Sequence, residues 1–236
     1  MPNVQLISVN GILLVDKPSG WTSFDAVNYV RRIVANAEGK KPKHVKVGHT
    51  GTLDPLATGL LVLLLGTYTK RAPGLSKLDK TYEVTMTLGQ TSTTGDREGE
   101  VTNVSDRQPS EVELTQAIQK FSGDLLQTPP IYSAIKINGQ RAYKLARQGK
   151  TVEIEPRKVT IHDIRLHAYT YPEVQFTARV SSGTYVRSLV EDIGTTLDTG
   201  AYMSDLRRTQ VGEYDLKDAV LVDKLSAAVI AEHLSE

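Results

Sequence analysis

The sequence predicts a mixed α+β fold: a largely antiparallel sheet flanked by helices and loops. Three observations predict it. Apolar alternation and short apolar runs recur along the chain as strand signals, amphipathic helical stretches interrupt them at irregular intervals, and no regular βαβ repetition links the two. No internal repeat, low-complexity tract or Gly/Ser-rich linker divides the 236 residues, so one catalytic-sized domain is expected over 1–236.

Gly11-Ile-Leu-Leu-Val15 reads as a short buried strand, ended by the turn chemistry of Asp16-Lys17-Pro18-Ser19-Gly20. Ser23 is placed to cap a helix in which Ala26, Val27, Val30, Ile33 and Val34 recur at helical spacing up to a break at 36–39. Residues 39–46 are dense in charge and poor in apolar side chains, the pattern of a mobile loop. Leu60 to Leu65 forms a buried run, and 82–88 alternates like a half-buried strand. Ser110 and Glu113 form a capping box that opens a helix reaching Phe121. Thr128-Pro-Pro130 precedes a strand-like 131–137, Asn138-Gly139 is a turn signal, and a short helix over 141–148 ends at Gly149. Residues 159–169 and 174–180 read as neighbouring strands, and Val186, Leu189, Val190, Ile193 and Leu197 mark a further amphipathic helix. A final strand and helix close the chain. The basic, turn-rich stretch 124–152 is expected to protrude as an inserted subdomain.

The composition excludes several classes of protein. There are no cysteines, which removes disulfides, thiol nucleophiles and thiolate metal sites. The longest apolar run is six residues, far short of the roughly 20 that a spanning helix needs. The N-terminus lacks a signal-peptide pattern, so a cytoplasmic location is expected. The formal charge of +1 conceals an alternation. Residues 1–80 carry +6, 81–125 carry −5, 126–165 carry +5 and 166–236 carry −5. Either the two basic segments converge on a face that attracts a polyanion, or all four are solvated surfaces.

Three segments could carry chemistry. Gly48-His49-Thr50-Gly51-Thr52-Leu53-Asp54-Pro55-Leu56-Ala57-Thr58-Gly59 packs three glycines and a proline around one carboxylate, which either caps a turn or serves as a nucleophile or base. It has neither P-loop nor G-x-G-x-x-G spacing, and the five histidines form no ligand pattern, so no catalytic metal is expected. No G-x-S-x-G elbow is present either. In Gly183-Thr184-Tyr185-Val186-Arg187-Ser188-Leu189, Arg187 falls in the first turn of a helix, where a cation opposes the macrodipole unless an anion compensates. Glu191 at i+4 or a carboxylate or phosphate from elsewhere could supply that anion. Lys80-Thr81-Tyr82 sets an aromatic face, suited to stacking on a base, at the start of a strand.

Taken in order, these motifs resemble those of the TruB family of tRNA pseudouridine synthases over roughly residues 9–216. Asp16-Lys17-Pro18-Ser19-Gly20, Pro130-Ile131-Tyr132-Ser133-Ala134-Ile135-Lys136 with Asn138-Gly139, and Leu206-Arg207-Arg208-Thr209 complete the pattern. The resemblance implies the pseudouridine synthase fold with an inserted RNA-gripping subdomain. The implied activity isomerises a uridine in the T loop of tRNA, position 55, by N1–C1′ cleavage, base rotation and C5–C1′ bond formation. Neither a cofactor nor a metal is implied.

By the same resemblance Asp54 is the nucleophilic or general-base aspartate and Arg187 holds its carboxylate. Tyr82 stacks on the uracil, Tyr185 and Leu206 line the pocket, and His49 meets the nucleic acid where the nucleotide leaves its stack. Lys17, Lys43, Lys46, Lys136, Arg141 and Lys144 are the expected contacts to RNA phosphates. The T stem-loop of tRNA is the expected partner of a monomer with no obligate protein partner and no membrane. Two features depart from the family pattern: no PUA-type C-terminal domain is expected in so short a chain, and the basic insertion over 39–46 is longer than usual. A catalysis-independent tRNA folding chaperone and a hydrolase releasing free uracil are the other readings.

Overall fold

The computed structural model describes residues 9–133, 135–137, 139–146, 148 and 154–235. The strands among them are β1 (Gly11–Lys17), β2 (Val47–His49), β3 (Thr58–Leu65), β4 (Lys80–Leu88), β5 (Gln90–Ser92), β6 (Val101–Asn103) and β7 (Gly123–Gln127). They continue with β8 (Lys136–Ile137), β9 (Gln140–Arg141), β10 (Arg157–Thr170), β11 (Glu173–Val180), β12 (Ala201–Val211), β13 (Tyr214–Asp215) and β14 (Val220–Leu221). The helices are α1 (Ser23–Ala37), α2 (Ala72–Leu75), α3 (Glu111–Gln119), α4 (Ala142–Ala146), α5 (Val186–Thr196) and α6 (Ala227–His233). The result is the expected mixed α+β architecture, with most strand pairs antiparallel.

The chain forms two compact units, one of residues up to Tyr82 together with Arg207 onward, the other Glu83–Leu206. Both boundaries fall inside strands, β4 and β12, which is why no linker composition marks them in a sequence that otherwise reads as one domain.

In the first unit β1 and β3 pair antiparallel along their whole length, from Gly11 opposite Leu65 to Lys17 opposite Gly59. β14 joins β1 in parallel and β2 lies antiparallel to β3. The apolar run of β3 is buried on both faces, and its period of two divides it between two cores. Leu61, Leu63 and Leu65 pack with Val27, Val30 and Val34 of α1, whereas Leu60, Val62 and Leu64 pack with Ile12 and Val211. α1 shows the predicted apolar spacing but a different cap: Thr22 accepts from the Asp25 N–H, and Asp25 returns the bond in a capping box. Ser23 is thereby displaced from the N-cap into the first helical position. Residues 39–46, expected as loop, contain a 3₁₀ turn over Pro42–His44 before β2 begins.

In the second unit β10 pairs antiparallel with β11 and with β7. Inward-facing Val174, Phe176, Ala178 and Val180 of β11 alternate with exposed or half-buried residues, as a half-buried strand requires. α3 starts at the predicted Ser110–Glu113 capping box. Of the strand expected over 131–137, the described residues hold Lys136–Ile137, paired with Gln140–Arg141, while 131–133 form bends. The helix expected over 141–148 is α4, Ala142–Ala146. Gly149, expected to end it, and Asn138 of the expected turn lie outside the described residues.

Gly59 shows how closely the strands approach. Its φ is +99°, and an added Cβ would stand 2.3 Å from the Arg208 carbonyl oxygen. Gly59→Ala is expected to lower stability by about 2–4 kcal/mol in urea denaturation. Gly39→Ala, with φ +63° but nothing within 4 Å, should lose only about 1–2 kcal/mol.

Candidate active site

The loop that carries Asp54 links β2 to β3 in the first unit and is pinned by buried polar groups. Lys17 is fully buried at the end of β1, and its ammonium donates to the carbonyls of Pro18 (2.9 Å), Trp21 (2.6 Å) and Pro55 (3.3 Å). The Gly20 N–H donates to the same Pro55 carbonyl at 2.8 Å, and Ser19 Oγ donates to the Leu56 carbonyl at 3.1 Å. Displaced from the cap, Ser23 binds the residue before the aspartate in both directions: its Oγ accepts from the Leu53 N–H at 2.7 Å and donates to the Leu53 carbonyl at 3.1 Å. Arg208 is 1% exposed and spans the loop's two ends, Nε donating to the Leu60 carbonyl and Nη2 to the Gly51 carbonyl. Residues 51, 53, 55, 56 and 60 are thus all held through their backbones. Asp54 is half-buried between them, and its own carbonyl accepts from the Ala57 N–H at 3.1 Å.

Cations dominate the ground beneath this loop. The Lys80 amine is pushed down to about 8, first by burial and then by repulsion from Arg208, while it donates to the Ser76 and Leu78 carbonyls. His49 is held below the usual imidazole range by the same two causes in the same order. Tyr82 shares its face of β4 with Lys80 and is 8% exposed. Asp16, one residue before Lys17, takes a bidentate pair from Arg207, with Nη2–Oδ2 at 2.6 Å and Nη1–Oδ1 at 3.2 Å.

In the second unit the start of α5 is tied to the end of β7. The side-chain amide of Gln127 accepts from the Tyr185 N–H (2.7 Å) and donates to the Tyr185 carbonyl (3.0 Å), and Ser188 Oγ donates to the Thr128 carbonyl. Arg187 is buried; Nη1 donates to the Thr94 carbonyl at 2.9 Å and lies 3.5 Å from Asp96, and Nη2 donates to the Tyr132 carbonyl at 2.8 Å. These contacts fix the plane of the guanidinium. Glu191, the i+4 neighbour, has its carboxyl raised by burial and then partly lowered by Arg187. Tyr185 is half-buried, and Leu206 is buried in β12.

The structure therefore places Asp54, His49 and Tyr82 in one unit and Arg187, Tyr185 and Leu206 in the other. It corrects Lys17: with no exposed surface and three carbonyl acceptors, this lysine braces the Asp54 loop and offers nothing to a phosphate. Lys43 and Lys46 are exposed. Lys136, Arg141 and Lys144 lie on the backbones of β8, β9 and α4, and their side chains are outside the described set. Sequence reasoning missed Ser23 and Arg208 as loop braces. The signal for the first was the adjacent Thr22–Asp25 pair, which competes for the cap. Among the described residues no group of three or more His, Asp or Glu could hold a metal ion.

Residues 38–186 match the model of the TruB family pseudouridylate synthase N-terminal domain, and 187–236 match that of the tRNA pseudouridylate synthase B C-terminal domain. The tRNA pseudouridine synthase B of Burkholderia mallei (strain ATCC 23344) is 45% identical over 96% of this chain and 70% of its own length. The protein of the same name from Stutzerimonas stutzeri (strain A1501) is 46% identical over 92% and 68%. Among solved structures, one chain of a Cbf5–Nop10–Gar1 complex superposes with a TM-score of 0.70 at 27% identity, covering 95% of this chain; this chain spans 56% of it. The chain belongs to the TruB family of pseudouridylate synthases.

Ser23→Ala leaves the buried Leu53 N–H without its acceptor and should lower stability by about 1–3 kcal/mol in urea denaturation. It should also reduce kcat at saturating RNA while KM moves less than about twofold, because the loop and not the RNA loses its hold. For Lys80, the folded-state value of about 8 lies below the ordinary 10.5, so between these pH values the unfolded chain binds a proton the folded one has released. Stability should gain a component that rises with pH across that window. Urea midpoints from pH 7 to 10 should show it in the wild type and not in Lys80→Met.

Proposed function

We propose that this chain converts a uridine in the T loop of tRNA, conventionally position 55, to pseudouridine. The N1–C1′ bond breaks, the uracil turns, and C5 joins C1′; the C5 proton is lost and N1 gains one, so no group enters or leaves on balance. Support comes from family membership and from one structural observation: the loop bearing Asp54 is braced through the backbone on either side of the aspartate by Ser23 and Lys17. Such bracing holds a carboxylate where a reacting atom must meet it, the pre-organisation from which an isomerase draws rate.

On the family resemblance we take Asp54 as nucleophile or base, Arg187 as the cation that holds its carboxylate, and Tyr82 as the stacking ring. Tyr185 and Leu206 are assigned to the uracil pocket and His49 to the displaced nucleotide. Extruding the base costs a few kcal/mol of unstacking, which stacking and backbone contacts offset. Attack at C1′, addition to the uracil ring and proton abstraction all place the one carboxylate in the same position.

The test is to incubate the purified chain with an unmodified tRNA transcript and map pseudouridine by mass spectrometry after selective derivatisation. One T-loop uridine should convert, and Asp54→Asn should lower the rate by at least about 10³-fold with RNA affinity retained. Release of free uracil would identify a hydrolase instead. Full turnover by Asp54→Asn would refute the assignment of the carboxylate.

A further inference from the structure

A groove in the first unit, about 850 Å³ in volume, is lined by four cationic side chains: Arg31 and Arg32 from α1, and Lys43 and Lys46 from the segment leading into β2. No Asp or Glu is among its described lining residues. Its wall includes Thr69 and Gly48, the latter being the first residue of the twelve-residue motif around Asp54 and the neighbour of His49. The groove and the Asp54 loop are therefore covalently continuous along β2.

The cations differ in how they are held. Arg31 is set in place: Nη1 donates to Asn28 Oδ1 at 2.5 Å and Nη2 to the Val47 carbonyl at 3.1 Å, with the guanidinium carbon 5.7 Å from the centre of the Phe24 ring. Phe24 itself is 60% exposed on the first turn of α1. Arg32, Lys43 and Lys46 reach solvent. One oriented guanidinium floor with three solvated cations around it suits a chain of anions better than a single anion, because successive phosphates of a backbone spread their charge along a groove.

We infer that this groove carries the phosphodiester backbone of the RNA substrate, feeding it along β2 toward the Asp54 loop, with Arg32, Lys43 and Lys46 neutralising successive phosphates and Arg31 setting their position. The inference rests on the tRNA reading above and extends it to residues of α1, which lie outside the motifs. It also gives the basic segment 39–46 a purpose: its 3₁₀ turn over Pro42–His44 leads toward β2, and Lys46 just before that strand lines the same groove as Lys43.

The test uses the full chain and a fluorescein-labelled unmodified tRNA transcript. Binding midpoints are measured from about 50 to 300 mM KCl, a range over which phosphate neutralisation shows in the affinity. The proteins are the wild type, Arg32→Gln/Lys43→Gln/Lys46→Gln, and a control that removes exposed cations outside the groove, Lys217→Gln/Lys224→Gln. Conversion at saturating RNA is followed in parallel. The groove variant should bind about 10- to 100-fold more weakly at about 100 mM KCl, and its plot of log affinity against log salt should flatten by about 2–3 units, one for each phosphate that it no longer neutralises. Its conversion rate at saturation should stay within about twofold of wild type, since these cations bind substrate and transition state alike. The control should change neither midpoint nor slope. If the wild type converts its uridine and the groove variant keeps the wild-type midpoint and salt slope, the groove is overturned and the activity stands. If the groove variant loses affinity and slope while the wild type converts no uridine, the activity reading fails and the groove remains a backbone-binding surface.

Discussion

The loop that carries Asp54 depends on one buried ammonium group. Lys17 has no exposed surface, and taking a cation out of water is costly unless strong acceptors replace the lost hydration. Three carbonyls do so, two from the turn after β1 and one from Pro55, the residue after Asp54. The cost of burying the charge is thus tied to the shape of the loop: if the loop moves, the ammonium loses an acceptor in a place water does not reach. Arg208 repeats the device at the loop's outer ends, and Ser23 does so with neutral bonds. A loop rich in glycine would otherwise be among the more mobile parts of a chain.

The same cations shape the local field. Burial first and the Arg208 charge second depress the proton affinity of both Lys80 and His49. The +6 carried by residues 1–80 suits a polyanionic partner. In the second unit Arg187 is held by two carbonyls and by Asp96, in contrast to the exposed lysines of 39–46.

Much of this is legible in the sequence where physics is local. The α1 periodicity, the Ser110–Glu113 capping box and the two-faced burial of Leu60 to Leu65 all follow from spacing, and the structure has them. The Asp54 motif stands out because glycine, proline and a lone carboxylate rarely crowd together without a conformational demand. What spacing cannot supply is the partner of each polar side chain. Thr22 and Ser23 are adjacent and chemically alike, and the cap goes to Thr22 because Asp25 lies three residues on; only the fold brings Leu53 to Ser23, thirty positions away. Lys17 reads as a phosphate contact because a lysine in a turn usually reaches solvent, and it is the closure of β1 against β3 that buries it. Arg31 and Arg32 lie outside every motif the sequence offers, and only the fold sets them around the same groove as Lys43 and Lys46.

Bracing of the Asp54 loop makes a claim about motion that hydrogen exchange measures most directly. The Leu53 amide donates to Ser23 Oγ and the Gly20 amide to the Pro55 carbonyl, both within the braced region. If the loop is held as described, both amides exchange in the unliganded protein only through opening of the surrounding unit, with protection approaching that of the β1–β3 ladder. Exchange of Leu53 and Gly20 at the rate of an exposed loop, while the ladder stays protected, would contradict the account and leave Asp54 on a segment that only substrate could organise.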